Sequence, residues 1–259
     1  MDLGIAGRKA IVCASSRGLG RACALALAHA KCEVVINGRE GKALQATAAE
    51  LRTATGSKII EVQADLATPD GQAALLQACP EPDILVNNNA GPPFRDFRQL
   101  TRAQMVDGVI ANMVVAIELI QKVIDSMAAR KFGRIVNITS GSVKMPIVGL
   151  DLSSGARAGL TAFLAGVARS VAASNVTINF LLPGTFDTER LRSNIASNAK
   201  SKGVSFDEAE VDRIASVPAR RFGQPDEFGA ACAFLCSAQA GYITGQNLLI
   251  DGGAFPGAL

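Results

Sequence analysis

Lys9-Ala10-Ile11-Val12-Cys13-Ala14-Ser15-Ser16-Arg17-Gly18-Leu19-Gly20 is the stretch on which the fold of this chain turns. An apolar run of strand length leads into small residues and then into a helix opener. Small residues at such a turn let a backbone approach a pyrophosphate. The helix N-terminus behind them offers unpaired N–H groups and the positive end of the helix dipole. A strand–turn–helix setting gives the pattern its meaning, and residues 14–20 are the candidate phosphate loop.

Outward from that unit, short Val/Ile/Leu-rich runs at 33–37, 58–63, 83–87, 133–138, 176–182 and 246–250 alternate with helical stretches near 19–30, 40–54, 70–78, 101–128, 152–173 and 225–238. Apolar runs of this kind suit strands buried on both faces. The alternation predicts an α/β fold: a doubly wound, Rossmann-type parallel sheet of about seven strands with helices on both faces. No linker or repeat interrupts residues 1–259, so one domain is expected. Residues 184–217 depart from the pattern, being polar and rich in Ser and Asn. An insertion at the carboxyl end of a strand reads as a substrate lid, or else as a plain surface excursion.

The 259 residues carry 26 basic and 23 acidic side chains, a net charge of +3, with no basic run. Nucleic-acid and membrane-surface partners are therefore not expected. The N-terminal residues lack a signal-peptide layout, and no apolar stretch reads as a membrane span, so a cytoplasmic protein is expected. Cys232 and Cys236 stand one helical turn apart. With His29 the only histidine, a zinc site has too few ligands, so no metal is expected and the six cysteines are read as reduced, buried residues.

Cofactor choice follows from the end of the second strand, Asn37-Gly38-Arg39. An acid there would bond the ribose 2′-hydroxyl of NAD, whereas a basic residue suits the 2′-phosphate of NADP. Arg17 in the loop and Arg39 after the strand make a guanidinium pair that chelates a phosphate, so NADP(H) is the expected cofactor. The alternative is that both are solvated surface arginines.

The loop resembles the glycine motif T-G-x-x-x-G-x-G of the classical short-chain dehydrogenase/reductase (SDR) family, in its 3-oxoacyl-carrier-protein-reductase-like branch. Gly18 and Gly20 match the last two glycines, while Cys13 and Ala14 replace Thr and Gly. Ala14 requires a turn conformation that a non-glycine residue tolerates. The resemblance continues along nearly the whole chain. Asp65, with Leu66 beside it, stands where the family's acid meets the adenine. Asn87-Asn88-Asn89-Ala90-Gly91 is similar to N-N-A-G with one extra Asn. Counting from Asp83 matches Asn87 and Asn88, counting back from Gly91 matches Asn88 and Asn89, and Asn88 is common to both; Ala90 and Gly91 are candidate cofactor-binding residues with it. Pro183-Gly184 and Thr188 resemble the segment that contacts the nicotinamide amide, and the stretches 221–227, 242–246 and 251–253 resemble the family's C-terminal signature.

The resemblance implies a catalytic Asn-Ser-Tyr-Lys tetrad, with Tyr and Lys one helical turn apart. Asn112 and Ser140 match its first two members. By spacing, Ser153 takes the tyrosine position and Arg157 the lysine position; the one tyrosine, Tyr242, belongs to the tail. A serine hydroxyl is a poor general acid beside a phenol, and Arg157 does not shuttle protons as Lys does. Ser140 and Ser153 still donate hydrogen bonds to an acceptor oxygen, and Arg157 still supplies a fixed positive field beside it. Lys144, Asp151 or a water are the candidate proton sources. Dienoyl-CoA reductases of the superfamily carry the Ser but keep the Lys; halohydrin dehalogenases carry the Arg but keep the Tyr.

The expected activity is therefore an NADPH-dependent hydride transfer to a carbonyl or activated alkene of a small apolar or acyl-type substrate, with Pro92, Phe94, Met145, Ile147 and Phe186 as candidate apolar walls. A non-catalytic NADP(H)-binding sensor or scaffold, and a cofactor-independent lyase or dehalogenase-like enzyme, are the alternatives. The family's dimer-building helices imply a homo-oligomer, a tetramer or dimer. Ala158, Gly159, Ala162, Phe163, Ala165, Gly166 and Val167 provide a face of small and apolar residues for close helix packing.

Overall fold

The computed structural model describes residues 2–257. Seven parallel strands stand in the order β3-β2-β1-β4-β5-β6-β7: β1 (Lys9–Val12), β2 (Glu33–Gly38), β3 (Ile59–Gln63), β4 (Ile84–Asn87), β5 (Gly133–Ile138), β6 (Val176–Pro183) and β7 (Asn247–Ile250). Strand β1 has β2 on one side and β4 on the other, with Ile11 opposite Val35 and Leu85. The winding reverses there, which opens a crevice at the carboxyl ends of the strands.

Alternate strand residues serve opposite layers. Ala10, Val12, Val34, Ile36, Ile84 and Val86 pack with α1 (Gly18–His29), α2 (Gly41–Thr55) and α9 (Pro225–Leu235). Ile11, Val35, Leu85, Ile135 and Ile178 pack with α3 (Pro69–Ala78), α5 (Val115–Ala129) and α6 (Asp151–Val171). All six cysteines are free and buried. Cys232 and Cys236 join Cys23 between α9 and α1, and burial pushes the Cys13 and Cys32 thiols up to about 12.

The helix expected over 101–128 is interrupted. It divides into α4 (Arg102–Val109), a π-turn at Ile110–Val114, and α5. The extra residue of a π-turn releases backbone carbonyls, and side chains take them up. Asn112 Nδ2 donates to Gly108 O at 3.1 Å, and Asn89 Nδ2 to Ala111 O at 2.8 Å.

This helical run corrects one reading. Arg102–Ala129 has an 18-residue window of mean hydropathy 1.6, long and apolar enough to cross a membrane by length and composition. Interspersed polar residues hide it from a search for an unbroken apolar run. Leu119, Ile120, Val123 and Met127 are buried on the sheet, while Met105, Val106 and Val109 of α4 are exposed.

Residues 184–217 carry α7 (Glu189–Lys202) and α8 (Phe206–Ala215). These helices share a small core of Ile195, Ala199, Ala209 and Phe222. Their base is pinned to the chain before α9. Gly223 N donates to Thr185 O (3.0 Å), Asp187 N donates to Gly223 O (2.9 Å), and the Phe186 ring stands edge-on to Phe228.

Candidate active site

A cleft of about 1390 Å³ runs across the carboxyl ends of the strands. Ala14, Ser16, Arg17, Gly18, Leu19, Asn37, Arg39, Asp65 and Leu66 line one half of it. Asn88, Ala90, Gly91, Ser140, Ser153, Arg157, Pro183, Gly184 and Thr188 line the other. Three expected site residues, Ser15, Gly20 and Asn112, do not line the cleft.

Each of the three holds the wall from behind. Ser15 is fully buried; its Oγ donates to Val12 O (2.7 Å) and accepts from Asn37 N (3.1 Å). A Cβ on Gly20 would collide with Ala14 O and Asn88 Nδ2, so only glycine lets α1 start so close to the loop. Asn112 lies in the π-turn beside a cavity of about 20 Å³ whose wall includes Arg157.

The turn at Ala14 differs from expectation. Ala14 has φ 45°, in the left-handed region, which costs an L-residue about 1–2 kcal/mol. Hydrogen bonds on both sides hold it there: Ala14 N donates to Asn37 Oδ1 (3.3 Å), and Asn88 Nδ2 donates to Ala14 O (3.1 Å). Asn37 also donates to Val62 O and Ala64 O, so it ties the loop to β3. The three consecutive asparagines take different partners. Asn87 faces Asn137 within the sheet (3.0 Å), Asn88 holds the loop, and Asn89 holds the π-turn.

The cradle fits a dinucleotide diphosphate. Gly18 has φ 59°, and the N-cap of α1, Arg17, makes no side-chain cap, which leaves the first-turn N–H groups available to an anion. At the mouth Arg17 pairs with Glu40 (2.7 Å) and lies 3.8 Å from Glu189 of α7, while Arg39 approaches Asp65 at 4.0 Å. Glu40, which directly follows Arg39, therefore competes for Arg17.

On the opposite wall, Ser153 and Arg157 stand one turn apart on α6, both buried. Arg157 Nε donates to Ser153 Oγ (3.2 Å), Nη1 to Ile138 O (2.8 Å) and Nη2 to Asn89 O (3.3 Å). Burial, and secondly the charge of Arg190, pull its guanidinium down to about 10, so it stays charged at neutral pH. Ser140 Oγ accepts from Ser142 N (3.1 Å) at the end of β5. Phe94, Met145, Ile147 and Phe186 line the cleft as expected, but Pro92 does not. Lys144 and Asp151 also lie outside the lining. Lys144 Nζ is 5.7 Å from the Phe255 ring centroid, and Asp151 Oδ2 accepts from Gly149 N (3.2 Å). Arg190, in the first turn of α7, lines the cleft without having been anticipated.

The family described as enoyl-(acyl carrier protein) reductase matches residues 13–254. The NADPH-dependent reductase BacG of Bacillus subtilis is 29% identical over 95% of this chain and 97% of its own. An acetoacetyl-CoA reductase of Allochromatium vinosum is 32% identical over 96% of this chain and 98% of its own. Among solved structures, the L-sorbose reductase of Gluconobacter frateurii in complex with NADPH and L-sorbose superposes with a TM-score of 0.93, at 27% identity and 98% coverage of both chains. With this fold, this cleft and these matches over nearly its full length, the chain belongs to the short-chain dehydrogenase/reductase family.

Proposed function

We propose that this chain is an NADP(H)-dependent reductase that delivers a hydride to a carbonyl or activated alkene of a small apolar or acyl-type substrate, using a modified tetrad. The observation that carries the reading is the buried bond from Arg157 Nε to Ser153 Oγ on the wall that also presents Ser140. The fit of the loop to a diphosphate supports it, as do the reductase relatives. Arg17 and Arg39 hold the 2′-phosphate.

Bound NADPH supplies the hydride. Ser140 and Ser153 donate hydrogen bonds to the acceptor oxygen, and the charge of Arg157 stabilises the negative charge that develops on it. A carbonyl acceptor also takes one proton on oxygen. With Lys144 and Asp151 outside the lining, that proton comes from a water in the cleft. Asn112 acts as a positioning residue, holding the π-turn behind Arg157.

In this reading the whole chain works as one domain, with 184–217 as its lid, in the cytoplasm. The exposed apolar residues of α4, together with Phe163 on α6, form the face on which a second copy packs. The test is a titration of purified protein with NADPH and with NADH, followed by NADPH oxidation assays with ketones and with keto and enoyl thioesters. Tight, NADPH-selective binding with turnover sustains the reading. Binding without any turnover leaves a sensor or scaffold, and no binding removes the oxidoreductase altogether.

A further inference from the structure

Arg157 is a buried charge whose three hydrogen-bond partners are all neutral: Ser153 Oγ, Ile138 O and Asn89 O. Its nearest ionic neighbour is a second cation. Arg190, from α7, donates to Gly91 O (3.3 Å) and Pro92 O (3.4 Å), both at the long end of hydrogen bonding. A Cβ placed on Gly91 would stand 3.2 Å from Arg190 Nη2 and 3.5 Å from Arg157 Nη2. The two guanidiniums thus converge on one point of the cleft wall.

Among the described residues neither has a carboxylate within 4 Å. Glu189 faces Arg17, Asp187 is paired with Arg192, and Asp251 accepts from Gly253 N and Phe255 N. Arg157 is buried while Arg190 is exposed, and the like charge of Arg190 beside a desolvated guanidinium is a repulsion that an anion between the two removes. Guanidinium forks match a carboxylate geometrically as well as electrically.

We propose that Arg157 and Arg190 form a clamp for a carboxylate carried by the substrate, so that the acceptor is itself an acid. The proposal rests on the reductase reading and narrows its substrate class. The cofactor's diphosphate is the other source of such an anion, but the α1 N-terminus and the loop already provide for it. The clamp also joins the lid to the reacting wall, since Arg190 is in the first turn of α7. An acidic substrate therefore draws the lid base towards α6.

The test is calorimetric. The full chain, saturated with NADP⁺, is titrated with oxalate and with its neutral analogue oxamide. Oxalate is expected to bind and oxamide not, and Arg190→Gln, an exposed position that folds independently of the clamp, is expected to weaken oxalate about tenfold while leaving NADPH affinity unchanged. The clamp is overturned if oxalate does not bind. It is equally overturned if oxalate binds only the cofactor-free chain and Arg190→Gln weakens NADPH instead, because the pair then serves the diphosphate. If NADPH itself fails to bind, the reductase reading falls separately. The oxalate titration of the cofactor-free chain and of Arg190→Gln then decides the clamp alone.

Discussion

The guanidinium of Arg157 reaches back one turn of α6 and donates its Nε–H to Ser153 Oγ at 3.2 Å. The serine hydroxyl thereby becomes the acceptor for a buried cation, and its own proton is left free for a ligand in the cleft. Removing that hydroxyl should act on stability and chemistry together. Ser153→Ala leaves a buried charged donor unpaired, which costs about 1–3 kcal/mol. Thermal unfolding should show this, and turnover should fall about a hundredfold with NADPH affinity held. Unchanged turnover in the variant would mean that Ser153 does not touch the acceptor.

At the loop, Ala14 and Gly20 should respond in opposite ways. Ala14→Gly relieves a left-handed φ of 45° and is expected to stabilise the fold by up to about 1 kcal/mol after the entropy cost of glycine, which raises the denaturation midpoint. Gly20→Ala drives a methyl into Ala14 O and Asn88 Nδ2, an overpacking cost of about 1–3 kcal/mol. Paired urea titrations distinguish them, and equal midpoints would refute the strain at Ala14.

The mouth of the cleft holds its own competitor for phosphate. Glu40→Gln frees Arg17 from an exposed ion pair worth at most about 1 kcal/mol, so NADPH should bind up to about fivefold tighter. Arg39→Ala should weaken NADPH about tenfold and leave NADH unchanged. Titration by cofactor fluorescence reads both, and a parallel loss of NADH would show that Arg39 does not distinguish the 2′-phosphate.

Acid stability should carry the signature of Glu227. Its carboxylate accepts both Arg221 Nη groups and the N–H of Gln224, and these hold it down from 4.5 to about 2. A lowered carboxylate stabilises the fold above its unfolded value and loses that contribution as pH falls towards about 2. Glu227→Gln should therefore flatten the decline in urea midpoint between pH 4.5 and 2. A decline as steep as in the parent protein would dissociate the Glu227 carboxylate from acid unfolding.

The sheet was legible because burial on both faces writes strands as Val/Ile/Leu runs, as in Lys9–Val12 and Val176–Pro183, and because small residues mark the phosphate turn. Ser140 was matched through the family resemblance, and Ser153 and Arg157 by their spacing from it, since a helix turns residues four apart into one face. The π-turn was not legible. Its cause is the side chains of Asn112 and Asn89, and the second of these lies 22 positions away.

Local sequence, then, decided the order of strands and helices, the phosphate loop and the pairing of residues one helical turn apart, because those depend on side-chain period and on backbone freedom within a few residues. Only the tertiary structure decided what meets across the cleft: Glu40 with Arg17, Asn88 with the turn at Ala14, and Arg190 with the wall at Gly91, 99 positions away. Electrostatic and hydrogen-bonding energies depend on distance in space. Chain separation carries no record of that distance until the sheet has brought the strand ends together.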